Sequence, residues 1–345
     1  MIVSGFEGTC LNSRTEKLIA EQGIGGLILF ERNYENPKQL KKLIEDLQSL
    51  TAQNSPPLFI SVDQEGGRVA RLNEPFTQFP PMCCLGVANS DDLAYQFGLA
   101  MGKEMKAVGI NMDYAPVLDV HSNPENPIIG KRAISSNPDV VARLGCKIIQ
   151  GFKDAGTFPV GKHFPGHGDT SQDSHLTLPR VERSKESLEK IELVPFAQAF
   201  QEGLDVIMTA HVVYPAWDED SAATFSNYIL NDLLRKKMQF QGLVMSDDLE
   251  MQAVTQTPEE LPALAINAGV DLFLICHDLD KVTRLQDAMI DGIETGKIPH
   301  ETVDHSFNRI IKSKEKLTDD NEMDLEQILE ENKKLAEEMR SYLTE

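Results

Sequence analysis

Residues 242–248 read GLVMSDD: Leu243, Val244 and Met245 form an apolar run that Ser246 and two aspartates bring to an end. Short, nearly continuous apolar runs bounded by polar or turn-forming residues are what strands covered on both faces require, as in a parallel sheet. The same pattern returns in GGLILF (25–30), LFISVD (58–63), DVIMTA (205–210) and DLFLIC (271–276). Less apolar β-rich stretches at Ile2–Phe6, Asn111–Ala115 and Pro159–His163 bring the number of expected strands to eight. Amphipathic runs lie between them at Pro37–Thr51, Leu93–Val108, Pro138–Ala155, Lys185–Glu202, Leu230–Met238, Pro258–Ala268 and Leu279–Gly296, many closed by a glycine suited to a helix C-terminus. Alternating β and α predicts a parallel sheet. Eight units favour closure into a single (β/α)8 TIM barrel, irregularity included, over an open doubly wound sheet of about five or six strands. The expected organisation is a barrel over residues 1–312 followed by an acidic helical extension over 313–345.

With 345 residues, 41% hydrophobic and 25% charged, the chain can bury a large core without disulfides or metals. A net charge of -21 argues against nucleic acid or an anionic membrane surface as a partner, since both select clustered Lys and Arg. Much of the C-terminal acidity, with Glu330, Glu331, Glu337 and Glu338 among it, reads as a solvated helical tail. Five cysteines without any CxxC, and a start, MIVSGFEGT, without a basic segment leading into an apolar one, point to a cytoplasmic protein with reduced thiols. We expect a monomer.

In a barrel the loops at the carboxyl ends of the strands build the site, so polar residues there carry chemistry. The third run leads into Asp63, Glu65, Arg68 and Arg71, the fourth into Asp113, Asp119 and His121, and the fifth into Lys162 and His163. The sixth ends at His211 and the seventh at Ser246, Asp247 and Asp248. The densest segment is GKHFPGHGDTSQDSH, 161–175. It can be read as a solvated loop, as a metal site built from His163, His167, Asp169, Asp173 and His175, or as an acid/base dyad of Asp173 and His175. So many histidines are unusual for a plain surface loop. The absence of HExxH spacing, and a lysine, Lys162, directly beside His163, weigh against a metal, and no metal or cofactor is expected. A His175 whose tautomer is fixed by Asp173 could protonate a leaving oxygen and then deprotonate water, with Asp247 as the carboxylate across the scissile bond. The plain alternative for Asp247 is an N-cap, if SDDLEM opens the next helix.

Three motifs, DQEGGRVARL (63–72) with FTQFP (76–80), KHFPGHGDTSQDSHLTLP (162–179) and SDDLEM (246–251), together with GGLILFERNYENPKQL (25–40), resemble the β-N-acetylglucosaminidase branch of glycoside hydrolase family 3. That resemblance covers residues 3 to 310 in consistent order. It implies a retaining hydrolase that removes terminal non-reducing β-linked N-acetylglucosamine, probing a small glycan or muropeptide substrate. Asp247 matches the family's nucleophile and the pair Asp173 and His175 its acid/base dyad, in place of the usual second carboxylate. Asp63, Lys162 and His163 match residues that hydrogen-bond sugar hydroxyls, and Arg132 in NPIIGKRA a sugar-binding arginine. Arg71 and His211, at the ends of the third and sixth runs, complete the candidate substrate-binding set. His167 and Asp169 would shape the loop, glycines 161, 166 and 168 would let it move, and Trp217 is a candidate platform for the leaving group. The rivals are phosphorolysis of the same glycosides, a metal-dependent hydrolase, and a sugar-binding protein on an inactive barrel.

Overall fold

A computed structural model describes residues 1–51, 56–171, 177–317 and 323–343. Eight parallel strands close into a barrel: β1 (Ile2–Ser4), β2 (Gly26–Leu29), β3 (Phe59–Val62), β4 (Met112–Asp113), β5 (Phe158–Phe164), β6 (Val206–Thr209), β7 (Leu243–Asp248) and β8 (Leu272–Ile275). Each pairs with its neighbours in chain order, and β1 with β8 completes the ring. The barrel is not hollow. Val3, Ile28, Phe59, Met112, Tyr114, Val160, Met208, Met245 and Leu274 fill it, while a larger apolar shell lies between strands and helices. This explains the continuous apolar runs, because both faces of every strand are covered.

The ring is irregular where chemistry is expected. Register shifts occur between Gly161 and Phe164 in β5 and between Met245 and Asp248 in β7. Such bulges re-aim side chains at the mouth of a barrel.

Helices follow the strands, many opened by polar caps: Asn36 accepts from the Gln39 amide, Ser90 from Leu93, and Asn137 from Asp139. Three expectations are corrected. The run 185–202 is two helices, Lys185–Lys190 and Leu193–Gln201, broken around the fully buried Glu192. No helix opens at SDDLEM; turns lead from Asp248 to the helix Leu261–Ala268, so Asp247 is not an N-cap. The tail is only half solvated: in Leu325–Arg340 the residues Ile328, Leu329, Ala336 and Met339 are buried, and Asn332 donates to Glu104 at 2.7 Å on the helix Asp91–Ala107. Its glutamates 330, 331, 337 and 338 occupy the exposed face. The helix His300–Lys314 runs continuously through residue 312. No described helix is long and apolar enough to cross a membrane.

Candidate active site

The carboxyl ends of the strands surround a cavity of about 450 Å³. Asp63, Arg71, Arg132, Lys162, His163 and Asp247 all line it. Six of the nine candidate residues therefore meet in one place, contributed by the ends of β3, β5 and β7 and by the loop after β4. Asp173 and His175 lie outside the described residues.

One wall is a ladder of opposite charges. The Lys162 ammonium, only 2% exposed, donates to Asp63 Oδ1 at 2.8 Å and sits 2.6 Å from Glu65 Oε1. Arg132 grips the same Glu65 through two parallel bonds, Nε to Oε2 at 2.8 Å and Nη2 to Oε1 at 2.7 Å. Burial by itself would raise the Glu65 carboxyl, but Arg132 and Lys162 outweigh it and hold the group well below the usual carboxylate range. Burial likewise opposes the Lys162 charge, and Asp63 and Glu65 restore it, leaving the ammonium more firmly protonated than an ordinary lysine. Arg71 reaches Asp63 Oδ2 only at 3.8 Å and lies over the Phe30 ring. Beneath the ladder Asp113 is fully buried, and burial pushes its carboxyl well above the usual range.

A second wall comes from β5 and the loop that follows. His163 Nδ1 meets Asp119 Oδ2 at 2.7 Å, and Asp119 Oδ1 accepts the His163 and His167 amides at 3.1 and 2.6 Å. Burial would raise Asp119, yet His163 and His167 draw it below its ordinary value. A carboxylate on Nδ1 fixes that nitrogen as the protonated one, which turns Nε2 of His163 towards the cavity as an acceptor when the ring is neutral. His167 bonds Thr170 through Nδ1 at 2.9 Å, and burial, then His163, lowers it to about 4. Asp169 pairs with Arg183 at 2.6 Å. The loop glycines serve close packing: a Cβ on Gly168 would lie 1.6 Å from the Val120 carbonyl, and one on Gly161 within 2.8 Å of Leu118 and Leu204. These contacts give a packing reason for glycine at both positions.

The third wall is the end of β7. Burial would raise Asp247, but His163 and His211 lower it, and its Oδ1 accepts the Asp248 amide at 2.8 Å. Asp248 is pushed up to about 7, chiefly by burial, with the charges of Glu250 and Asp247 adding to it. Two adjacent carboxyls are thus split, one ionised and one protonated up to neutral pH, a division of labour typical of acid/base sites.

Two candidates fall elsewhere. His211 is buried, does not line the cavity, and has both ring nitrogens engaged, Nδ1 with Thr224 Oγ1 at 2.8 Å and Nε2 with the Asp248 carbonyl at 3.1 Å. It backs the site from behind the cavity wall. Trp217 is 8% exposed and packs on Tyr214 in the core, so it offers no platform to a leaving group. Glu65 and Asp119 are the members that the sequence left without a role. The only signal was position, since both sit within a few residues of a strand end.

A fixed array of charged donors and acceptors beside one isolated carboxylate, on the catalytic face of a barrel, is the equipment of a hydrolase for polyhydroxylated substrates. Residues 5–313 match the glycosyl hydrolase family 3 N-terminal domain. The β-hexosaminidase of Alkalilimnicola ehrlichii is 40% identical over 290 residues, 81% of this chain and 82% of that protein. β-Hexosaminidase A of Pseudoalteromonas piscicida is 38% identical over 335 residues; these are 90% of this chain and 56% of that longer protein. NagZ of Neisseria gonorrhoeae, solved in complex with N-trifluoroacetyl-D-glucosamine, superposes with a TM-score of 0.84 at 30% identity, covering 99% of this chain and 98% of that one. The class is that of the barrel glycoside hydrolases. Within it, the chain belongs to glycoside hydrolase family 3 and its β-hexosaminidase relatives.

Proposed function

We propose that the protein is a retaining exo-β-N-acetylglucosaminidase, acting as a cytoplasmic monomer on anhydro-muropeptide fragments of peptidoglycan. Asp247 attacks the anomeric carbon; the glycosidic C–O bond breaks, and His175, oriented by Asp173, gives its proton to the leaving oxygen. Water then attacks the glycosyl ester, His175 takes its proton, and Asp247 leaves as the free carboxylate with the anomeric configuration retained. Asp63, Lys162, His163, Arg132 and Arg71 hold the sugar, each unpaired contact penalising a wrong epimer.

The observation that carries this reading is the ionised Asp247 lining the same cavity as the Asp63, Lys162 and Arg132 ladder. The glucosamine derivative bound by the Neisseria relative supports the choice of sugar. The test is hydrolysis of 4-nitrophenyl N-acetyl-β-D-glucosaminide by wild type, Asp247→Ala and His175→Ala, with phosphate and EDTA in parallel. Turnover lost in Asp247→Ala, reduced in His175→Ala and indifferent to both additions is expected. Glycosyl phosphate as product would establish phosphorolysis, and inactivation by EDTA a metal mechanism.

A further inference from the structure

His211 is absent from the cavity wall yet lies against the backbone that carries the reacting carboxylate, and its surroundings favour a hydrogen on Nε2. Nε2 faces the Asp248 carbonyl at 3.1 Å. A carbonyl can only accept, so Nε2 carries the hydrogen. Nδ1 meets Thr224 Oγ1 at 2.8 Å, and Thr224 Oγ1 in turn meets Thr209 Oγ1 at 2.8 Å. Thr209 can donate to Thr224, and Thr224 to Nδ1 at 2.8 Å in preference to the Ala210 carbonyl at 3.3 Å, which gives a neutral ring accepting at Nδ1. Burial favours the same neutral form by lowering the imidazole below its ordinary value. Phe225 lies parallel to the ring, with centroids 6.2 Å apart and a 7° tilt.

The other end of the chain of bonds is the nucleophile. Residue 248 uses its amide to hold Asp247 Oδ1 at 2.8 Å and its carbonyl to meet His211. This is also where β7 breaks register with β8, so the ladder that would otherwise restrain the backbone is interrupted between Met245 and Asp248. Resting on the assignment of Asp247 above, we propose that His211 is a positioning residue: it clamps the Asp248 carbonyl, keeps the amide of that residue on one oxygen of Asp247, and leaves the other oxygen aimed at the anomeric carbon. Thr224, donating to Nδ1, supports the tautomer that the Asp248 carbonyl selects.

The experiment compares His211→Phe and His211→Gln with Thr224→Val and Thr224→Ser, reading kcat, KM and the pH profile on 4-nitrophenyl N-acetyl-β-D-glucosaminide. A small misplacement of a reacting group costs about 10²-fold in rate, and that loss is expected in kcat for His211→Phe. KM should stay within roughly threefold, because no contact to the substrate is removed. The acid limb of kcat/KM should move to higher pH as the amide slackens from Asp247, which also faces Lys162 and His163 from β5, His167 from the loop after it, Tyr114 after β4, Cys276 after β8 and the Asp248 carboxyl beside it. A glutamine can return a donor near the Nε2 position, so His211→Gln should recover about tenfold or more of the lost kcat. Thr224→Val should lose activity in the same manner but to a smaller extent, and Thr224→Ser should retain it.

Wild-type kcat in a folded His211→Phe, or a loss with an unmoved acid limb and no recovery in His211→Gln, overturns the proposal. Should His211→Phe fail to fold, equal activities in Thr224→Val and Thr224→Ser overturn it. An active Asp247→Ala would remove the nucleophile assignment itself, whereas an inactive Asp247→Ala beside a normal His211→Phe removes only the clamp.

Discussion

The two sides of the cavity are built on opposite principles. On the β3 and β5 side the buried charges of the ladder are paired before any substrate arrives: Asp63 and Glu65 on Lys162, Glu65 again on Arg132, Asp119 on His163. On the β7 side Asp247 has, among the described residues, one amide donor on one oxygen, and its neighbour Asp248 titrates near neutrality. A group that binds gains from being fixed in advance, because the ordering is complete before the sugar enters. A group that reacts must keep a lone pair free. The difference separates mutations that damage the fold from mutations that damage only the chemistry.

The largest effect should come from Asp247→Ala. If Asp247 forms the covalent bond, turnover should fall on the order of 10⁴-fold or more, in the range seen when nucleophiles are deleted. Thermal unfolding should change little, since the described hydrogen bond that is lost, from the Asp248 amide to Oδ1, is worth about 1 kcal/mol. A drop of many degrees would show that Asp247 is structural and erase the contrast.

Glu65→Ala should do the reverse. It leaves Arg132 and part of the Lys162 charge buried without compensation, and breaking a buried pair by removing one partner costs about 3–5 kcal/mol. Denaturant unfolding should read that loss, with KM raised and kcat less affected. A variant as stable as wild type would mean that water reaches the ladder freely.

How far this contrast could be read from the chain is uneven. The barrel was legible because runs such as LFISVD and GLVMSD are apolar on both faces, a pattern set by local sequence alone. The helix Ser13–Ala20 was missed: its buried side is little more than Thr15, Leu18 and Ile19, too short for a clear period. Position at strand ends, sharpened by family resemblance, placed Asp63, Lys162, His163 and Asp247 at the cavity. The pairing that decides what each does was not legible, since Glu65 meets Arg132 across 67 positions and Asp119 meets His163 across 44. His211 shows the limit most sharply. A polar residue at a strand end can face the cavity or the backbone behind it, and a bulge in the neighbouring strand determines which.

Outside the cavity, at the break between two helices, lies a buried acid that belongs to neither side. Glu192 is fully buried, accepts from Ser122 at 2.8 Å through Oε1, and has no partner for Oε2 among the described residues. Burial pushes it up to about 8. Below its unfolded value both states hold the proton. As pH rises towards 8 the unfolded chain releases it while the folded chain still binds it, so stability falls across that window and levels off above it. Glu192→Gln should therefore raise stability by roughly 2 kcal/mol near pH 9 and by little near pH 4. An equal effect at both ends would place the cause in packing.

The smallest effect should separate two arginines of the same wall. Arg132 is 11% exposed and spends its planar face on Glu65; Arg71 is 32% exposed and stands 3.8 Å from Asp63. A partly exposed pair at that distance contributes about 0–1 kcal/mol to stability, so Arg71→Ala should unfold much as wild type does. Its donors are the least committed on the ladder side, and a charge-assisted bond to a sugar hydroxyl is worth about 1.5–3 kcal/mol. KM should rise roughly tenfold with kcat almost unchanged, the pattern of a contact made equally in the ground and transition states. If instead kcat falls and KM stays, Arg71 acts on the transition state. Preorganised binding would then give way to chemistry within the ladder itself, and the line between the two sides would run through Asp63.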